Sequence, residues 1–253
     1  MKVFLTGASS GIGAALAVEY ARAGAQLGLF ARRAEALAAL AASLAPATPV
    51  AYTGDVRDAG ALSTAAADFM RRHGVPDVVI ANAGISRGTL TEHPEDNVVF
   101  RAILDTNVVG MLHTFQPFLP AMREARAGKL VGIASVAGFR GLPGAGAYSA
   151  SKAAAIRYLE SLRVELAGSG VGVITICPGY VATPMTAGNP YRMPFLLPAD
   201  KAARLIVLAI ARGRRFYVLP WQMAWVGRFL SAIPRGLYDR ALAHAKRKPR
   251  AGE

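Results

Sequence analysis

Lys2-Val3-Phe4-Leu5-Thr6-Gly7-Ala8-Ser9-Ser10-Gly11-Ile12-Gly13 opens the chain with a short apolar run, a glycine-rich turn and the start of a helical pattern. A strand that passes into a helix through glycines leaves backbone N–H groups at the positive end of that helix, where a pyrophosphate is held. The spacing is GxxxGxG, which differs from the GxGxxG of longer dinucleotide-binding chains. Outward from this turn, strand-like runs at 2–6, 26–30, 50–53, 77–81, 129–134, 171–176 and 216–219 alternate with helical stretches near 12–23, 33–45, 58–73, 96–125, 148–167 and 199–211. Runs such as Val78-Val79-Ile80 are apolar throughout, as expected where helices cover both faces of a sheet. The pattern predicts an α/β fold, a Rossmann-like doubly wound parallel sheet of about seven strands with helices on both faces.

Composition narrows the classes further. The chain has 253 residues, 53% hydrophobic and 18% charged, which is enough apolar surface for a sizeable core and excludes disorder for its bulk. The lone Cys177 can form neither an intramolecular disulfide nor part of a cysteine zinc cluster, and no metal site is expected. Net charge is +13, but residues 1–199 hold 17 basic and 13 acidic side chains whereas residues 200–253 hold 12 and 3. The excess therefore sits in the last fifth of the chain. The N-terminus reaches Gly7 too soon for a signal peptide, so an intracellular, soluble or peripheral protein is expected. The longest uncharged run, 166–191, could span a bilayer by length alone, but its Gly, Pro, Thr and Asn content reads as strand and loop.

Two further stretches bear on chemistry. The second strand ends in Phe30-Ala31-Arg32-Arg33, with no carboxylate until Glu35. An acidic residue at this position selects NAD through the ribose 2′-hydroxyl, while arginine suits the 2′-phosphate of NADP. NADP is therefore expected in preference to NAD. Downstream, Tyr148 and Lys152 stand four apart and share one helical face, and Ser135 follows the strand at 129–134. A phenol near an ammonium and a hydroxyl can carry out carbonyl acid–base chemistry, because an adjacent cation favours the phenolate.

Taken together, Thr6-Gly7-x-x-x-Gly11-x-Gly13, Asp55-Val56, Asn82-Ala83-Gly84, Asn107, Ser135, Tyr148-x-x-x-Lys152 and Pro178-Gly179 with Thr183 resemble the short-chain dehydrogenase/reductase family over residues 1 to about 220. The resemblance implies an NADP-dependent oxidoreductase that interconverts a carbonyl compound and its alcohol. It implies that Tyr148 is the general acid or base, that Ser135 holds the carbonyl oxygen, that Lys152 binds the nicotinamide ribose and lowers the phenol pKa, and that Asn107 holds a water. It places Gly7, Ser9, Ser10, Gly11, Ile12, Gly13, Arg32, Arg33, Asn82, Ala83, Gly84, Pro178 and Gly179 along the cofactor. Val56 would also bind the cofactor, and Asp55 would meet the adenine, with Val181 and Thr183 at the nicotinamide carboxamide. Ala81 stands where the family often has a first asparagine, a departure that touches cofactor support. The resemblance also implies a homodimer or homotetramer. A nucleotide-sugar epimerase shares Tyr-x-x-x-Lys but needs a larger substrate domain than this chain provides.

Residues 184–198 fall where the family carries a substrate-covering segment; two methionines, Tyr191, Phe195, Leu196 and Leu197 suit an apolar substrate, with Arg192 offered to an anionic group. Residues 221–253 read as a basic amphipathic extension of the 1–220 oxidoreductase domain. Trp221, Trp225, Phe229 and Ile233 recur every four residues, Pro234 breaks the pattern, and a second segment at 237–245 runs into Lys246-Arg247-Lys248-Pro249-Arg250. The favoured reading packs the stripe onto its own domain or a partner subunit, with the basic end a solvated tail. The competing reading is an interfacial helix on an anionic membrane, which would place a cytoplasmic protein at the inner membrane surface. A second functional hypothesis, a membrane-associated or redox-sensing scaffold that only binds NADP, rests on this tail and is opposed by the complete catalytic set. No base-reading or stacking module for nucleic acid is recognisable.

Overall fold

A computed structural model of the protein describes residues 1–250. Seven parallel strands form one sheet in the order β3-β2-β1-β4-β5-β6-β9. They are β1 (Lys2–Thr6), β2 (Gln26–Ala31), β3 (Val50–Thr53), β4 (Val78–Ala81), β5 (Lys129–Ile133), β6 (Gly172–Pro178) and β9 (Phe216–Leu219). A separate parallel pair, β7 (Val181–Ala182) and β8 (Leu197–Pro198), closes the base of the 183–196 loop. The helices between strands are α1 (Gly11–Arg22), α2 (Ala34–Ser43), α3 (Ala59–His73), α4 (Asp96–Leu104), α5 (Gly110–Phe115), α6 (Leu119–Glu124), α7 (Gly146–Glu165) and α8 (Ala199–Ala211), followed by α9 (Trp221–Ala232) and α10 (Arg235–Leu242).

Alternation along the strands divides the interior into two cores, because successive side chains leave opposite faces of a sheet. Val3 and Leu5 of β1 join Val78 and Ile80 of β4 beneath α1 and α8, where Leu16, Tyr20, Ile206 and Ile210 are buried. Phe4 and Val79 point the other way, among Leu62, Phe69, Phe115, Phe118 and Leu159 of the helices on the second face. There Phe4 lies 4.8 Å from Phe118 and 5.6 Å from Phe69 between ring centroids, tilted and edge-on arrangements that aromatic quadrupoles favour. Both faces are covered, which is why the strands read as unbroken apolar runs.

The stretch expected as one helix over 96–125 is interrupted. Asp105–Val109 is a π-turn, and the helical run ends at Phe115 before resuming at Leu119. By length and composition, Asp96–Phe115 could cross a bilayer. Ile103, Asn107, Met111 and Phe115 are buried in the protein.

All crossovers place the strand C-termini on one edge, where a parallel α/β sheet opens its ligand crevice. The two C-terminal helices leave β9 on that same side. Of α9, Met223 and Gly227 face inward, while Trp221, Trp225 and Phe229 are 63–69% exposed. The aromatic stripe therefore does not pack onto its own domain.

Candidate active site

At the C-terminal edge of β1, β2, β4, β5 and β6 lies a cleft of about 400 Å3. Its floor is the glycine turn. A Cβ on Gly13 would fall 2.1 Å from the Gly7 carbonyl oxygen, so α1 can begin this close to the turn only with glycine there. Asn82 fastens the turn from β4, its Nδ2 donating to the carbonyls of Thr6 and Gly7 at 3.1 Å each. The bare backbone at the start of α1 is a cradle that side chains would fill, and it fits a dinucleotide pyrophosphate.

Arg32 and Arg33 line one end of the cleft with Ser9 and Ser10. Arg33 Nη2 donates to the Ser9 carbonyl at 3.3 Å and to Ser9 Oγ at 3.2 Å, which draws the guanidinium across to the glycine turn. Arg32 stands 3.7 Å from Asp55. Asp55 turns to Arg57, accepting from its Nη2 at 2.7 Å and its Nε at 3.0 Å, and this partner holds the carboxyl below its ordinary range. Asp55 itself is not on the cleft wall; its neighbours Gly54 and Val56 are.

At the other end, Ser135, Tyr148 and Lys152 line the same cleft with Pro178, Gly179, Val181 and Thr183. Ser135 caps the short 3₁₀ turn after β5, accepting from Ala137 N at 3.1 Å, and its hydroxyl donates to the Pro178 carbonyl at 3.4 Å. Tyr148 and Lys152 share a face of the first turns of α7. Burial raises the Tyr148 phenol pKa while a hydrogen bond with Ser135 works against the rise. Lys152 Nζ donates to the Ile133 carbonyl at 2.8 Å and lies 5.7 Å from the Tyr148 ring centroid. Burial lowers the Lys152 ammonium to about 8. Burial is the largest influence on the phenol, and the hydrogen bond with Ser135 is what opposes it. Cys177, also nearby and buried, is pushed up to about 12 and stays a thiol.

Asn107 sits in the π-turn behind the cleft. Its Oδ1 accepts from Ile85 N at 2.8 Å, and its Nδ2 donates to the Ile85 carbonyl at 3.0 Å and to Ser151 Oγ at 2.9 Å. Ser151 in turn donates to the Tyr148 carbonyl at 2.7 Å. Ser151 is wholly buried and is not among the residues the sequence motifs single out. Its signal was the hydroxyl inside Tyr148-Ser149-Ala150-Ser151-Lys152. Met185 and Thr186 reach the cleft from the 183–196 loop, which Thr186 braces by donating to the Val181 carbonyl at 2.6 Å. Arg192 is exposed and does not line the cleft.

The basic end of the chain is not a free tail. Gly88 N donates to the Pro249 carbonyl at 2.9 Å, Lys248 Nζ donates to Ser86 Oγ at 2.8 Å, and Arg250 pairs with Asp96 at 3.0 Å and Glu95 at 2.7 Å.

A seven-stranded parallel sheet with a glycine cradle and a Ser, Tyr, Lys cluster defines a nicotinamide-binding α/β oxidoreductase. The family description "short chain dehydrogenase" matches residues 1–192, and the chain belongs to that family. An uncharacterised oxidoreductase of Myxococcus xanthus is 42% identical over 240 residues, with 94% of each chain covered. A short chain dehydrogenase from Burkholderia cenocepacia, solved in complex with NADP, superposes with a TM-score of 0.82 at 27% identity, over 95% of this chain and 97% of that one. One from Burkholderia phymatum, solved in complex with NAD, gives a TM-score of 0.83 at 26% identity, over 100% and 97%. The chain is thus an oxidoreductase for alcohol and carbonyl groups that binds a nicotinamide cofactor.

Proposed function

We propose that the protein is an NADP-dependent reductase of a largely apolar ketone or aldehyde. The observation that carries this reading is the convergence of Ser135, Tyr148 and Lys152 on one end of a cleft whose other end presents Arg32 and Arg33. When bound, the nicotinamide supplies the hydride that the carbonyl carbon accepts. Tyr148 Oη gives its proton to the carbonyl oxygen, and Ser135 Oγ holds that oxygen in line. The buried phenol, with its raised pKa, holds this proton at neutral pH, as a general acid must. Lys152 binds the nicotinamide ribose, and Asn107 with Ser151 fixes the backbone at Tyr148. A screen of ketones and aldehydes read by NADPH oxidation tests the reading; full activity of Tyr148→Phe on a ketone so identified would refute the mechanism.

The NADP preference is supported by Arg33, which bridges to Ser9 and offers paired donors to a 2′-phosphate. Of the Burkholderia proteins named above, one was solved with NADP and the other with NAD, so the fold leaves the choice to these side chains. Titration calorimetry with equal affinities for NADPH and NADH would remove it. Met185 on the cleft and the exposed Phe195 and Leu196 on the covering loop support an apolar substrate.

Location and assembly form a second reading. Trp221, Trp225 and Phe229 are exposed beside Arg228, whose guanidinium lies 5.4 Å over the Trp225 ring, and aromatics with cations suit the headgroup layer of an anionic membrane. A cytoplasmic homodimer or homotetramer resting on the inner membrane surface accommodates these features. Sedimentation with phosphatidylserine vesicles, with light scattering for the oligomer, tests both.

A further inference from the structure

The C-terminal segment 247–250 returns beside Tyr148, just outside the residues that line the cleft, and is seated there by the fold. Gly88 pairs with Arg250 and Thr89 with Ala145, so the tail, the loop after β4 and the segment entering α7 are stitched side by side. The seat requires glycine: a Cβ on Gly88 would fall 2.2 Å from the Lys248 carbonyl oxygen. Its latch is the Arg250 to Asp96 pair, in which the carboxylate side chain is 7% exposed and also accepts from Leu90 N at 2.7 Å. Breaking such a pair strands a buried charge, so the latch is firm. Further back, Tyr238 donates to the Gly141 carbonyl at 2.5 Å under the Arg140 guanidinium.

This strap puts Lys248 Nζ 6.0 Å from the Tyr148 ring centroid. The ammonium is partly buried and donates to a neutral partner, Ser86 Oγ. Among the described residues no Asp or Glu is paired with it. Burial, and then the charge of Arg87, lower its pKa. A desolvated cation next to another cation, with only a hydroxyl to bind, is a strong site for an oxyanion. Arg192, the cation on the covering loop, stays exposed. We propose that Lys248 is a specificity-determining residue that holds an anionic oxygen group, carboxylate or phosphate, on the carbonyl substrate while its carbonyl meets Tyr148. The proposal deepens, and rests on, the carbonyl reductase reading.

The test compares matched pairs: 4-oxo-4-phenylbutanoate with its methyl ester, and phenacyl phosphate with 2-hydroxyacetophenone. With NADPH, the wild-type kcat/KM ratio of anionic to neutral member should exceed tenfold. Lys248→Met should cut that ratio at least tenfold, chiefly through KM, and Lys248→Arg should retain most of it. A structural role alone would lower both members together and leave the ratio standing. A ratio within twofold of wild type in Lys248→Met overturns the proposal, and the pair with the larger ratio identifies the group. The same probes are titrated calorimetrically into the NADP+ complex. A binding preference for the anion that Lys248→Met abolishes, without any turnover in wild type, supports the cation site and counts against the reductase reading. No preference in binding or turnover overturns the site.

Discussion

α7 and α9 carry the same kind of sequence signal and meet opposite fates. In α7, Tyr148 and Lys152 stand four apart and converge on the cleft, with Lys152 buried and bonded to Ile133. In α9, Trp221, Trp225 and Phe229 stand four apart and face away from the protein. Spacing establishes which residues share a face, and only the neighbouring elements decide what that face meets. α7 lies against β6, the π-turn and the 3₁₀ turn, whereas α9 touches β9 and the 3₁₀ turn along its other side. On α7, enclosure shifts the pKa values of the pair. Any function on α9 must come from something outside the chain.

The sharpest way to break this contrast is to strip one side chain from each helix. Tyr148→Phe is expected to lower kcat/KM for carbonyl reduction by about 10³-fold, within the span that general acid–base catalysis supplies, with unchanged circular dichroism. Lys152→Met is expected to weaken NADPH binding by about tenfold at pH 7, as the loss of a charge-assisted hydrogen bond implies. It also carries a pH signature. Burial holds the ammonium at about 8 in the folded protein, so it loses its proton as pH rises through that value, and NADPH affinity falls between pH 7 and 9. The fold moves in the other direction: between about 8 and the ordinary lysine value of about 10.4 the unfolded chain binds more protons, and stability rises with pH. Fluorescence titration and urea melts across that range should show both slopes, each abolished in Lys152→Met. Arg33→Ala sharpens the cleft side further, with NADPH weakened about tenfold and NADH by less than about threefold in calorimetry. The smallest effect belongs to α9: Trp225→Ala should change folding stability by under about 0.5 kcal/mol in denaturant titration. A larger loss there would mean that the exposed face is covered in solution.

How much was legible in the sequence follows the same division. The β1 turn into α1 was plain because its logic is local: apolar strand, glycines, helix. The parallel sheet, the Asn82-Ala83-Gly84 end of β4 and the Ser135, Tyr148, Lys152 cluster followed from ordered motifs. The π-turn that presents Asn107 could not be read, since nothing in Asp105-Thr106-Asn107-Val108-Val109 departs from helical composition. β7 and β8 escaped because two-residue strands exist only through pairing with each other. The guanidinium of Arg57, two residues on, which holds Asp55, carried no signal in the sequence. Lys248-Pro249-Arg250 looked like a solvated run of charge. Its partner Asp96 lies 154 residues away, beyond any local pattern.

The π-turn has a consequence for how this fold tolerates change in length. A π turn carries an additional residue relative to an α turn, so it works like a spare frame in the helix. Deleting one residue within 105–109 would let regular α geometry close over the gap and leave the turns on either side in nearly the same phase, whereas the same deletion in a regular α-helix would rotate one side by about 100°. Ile103 and Met111, eight residues apart on either side of it, are both buried, so the wider turn keeps the two halves of the helix facing the interior in spite of the additional residue. The residue that looks surplus is the one that keeps Asn107 aimed at Ile85 and Ser151.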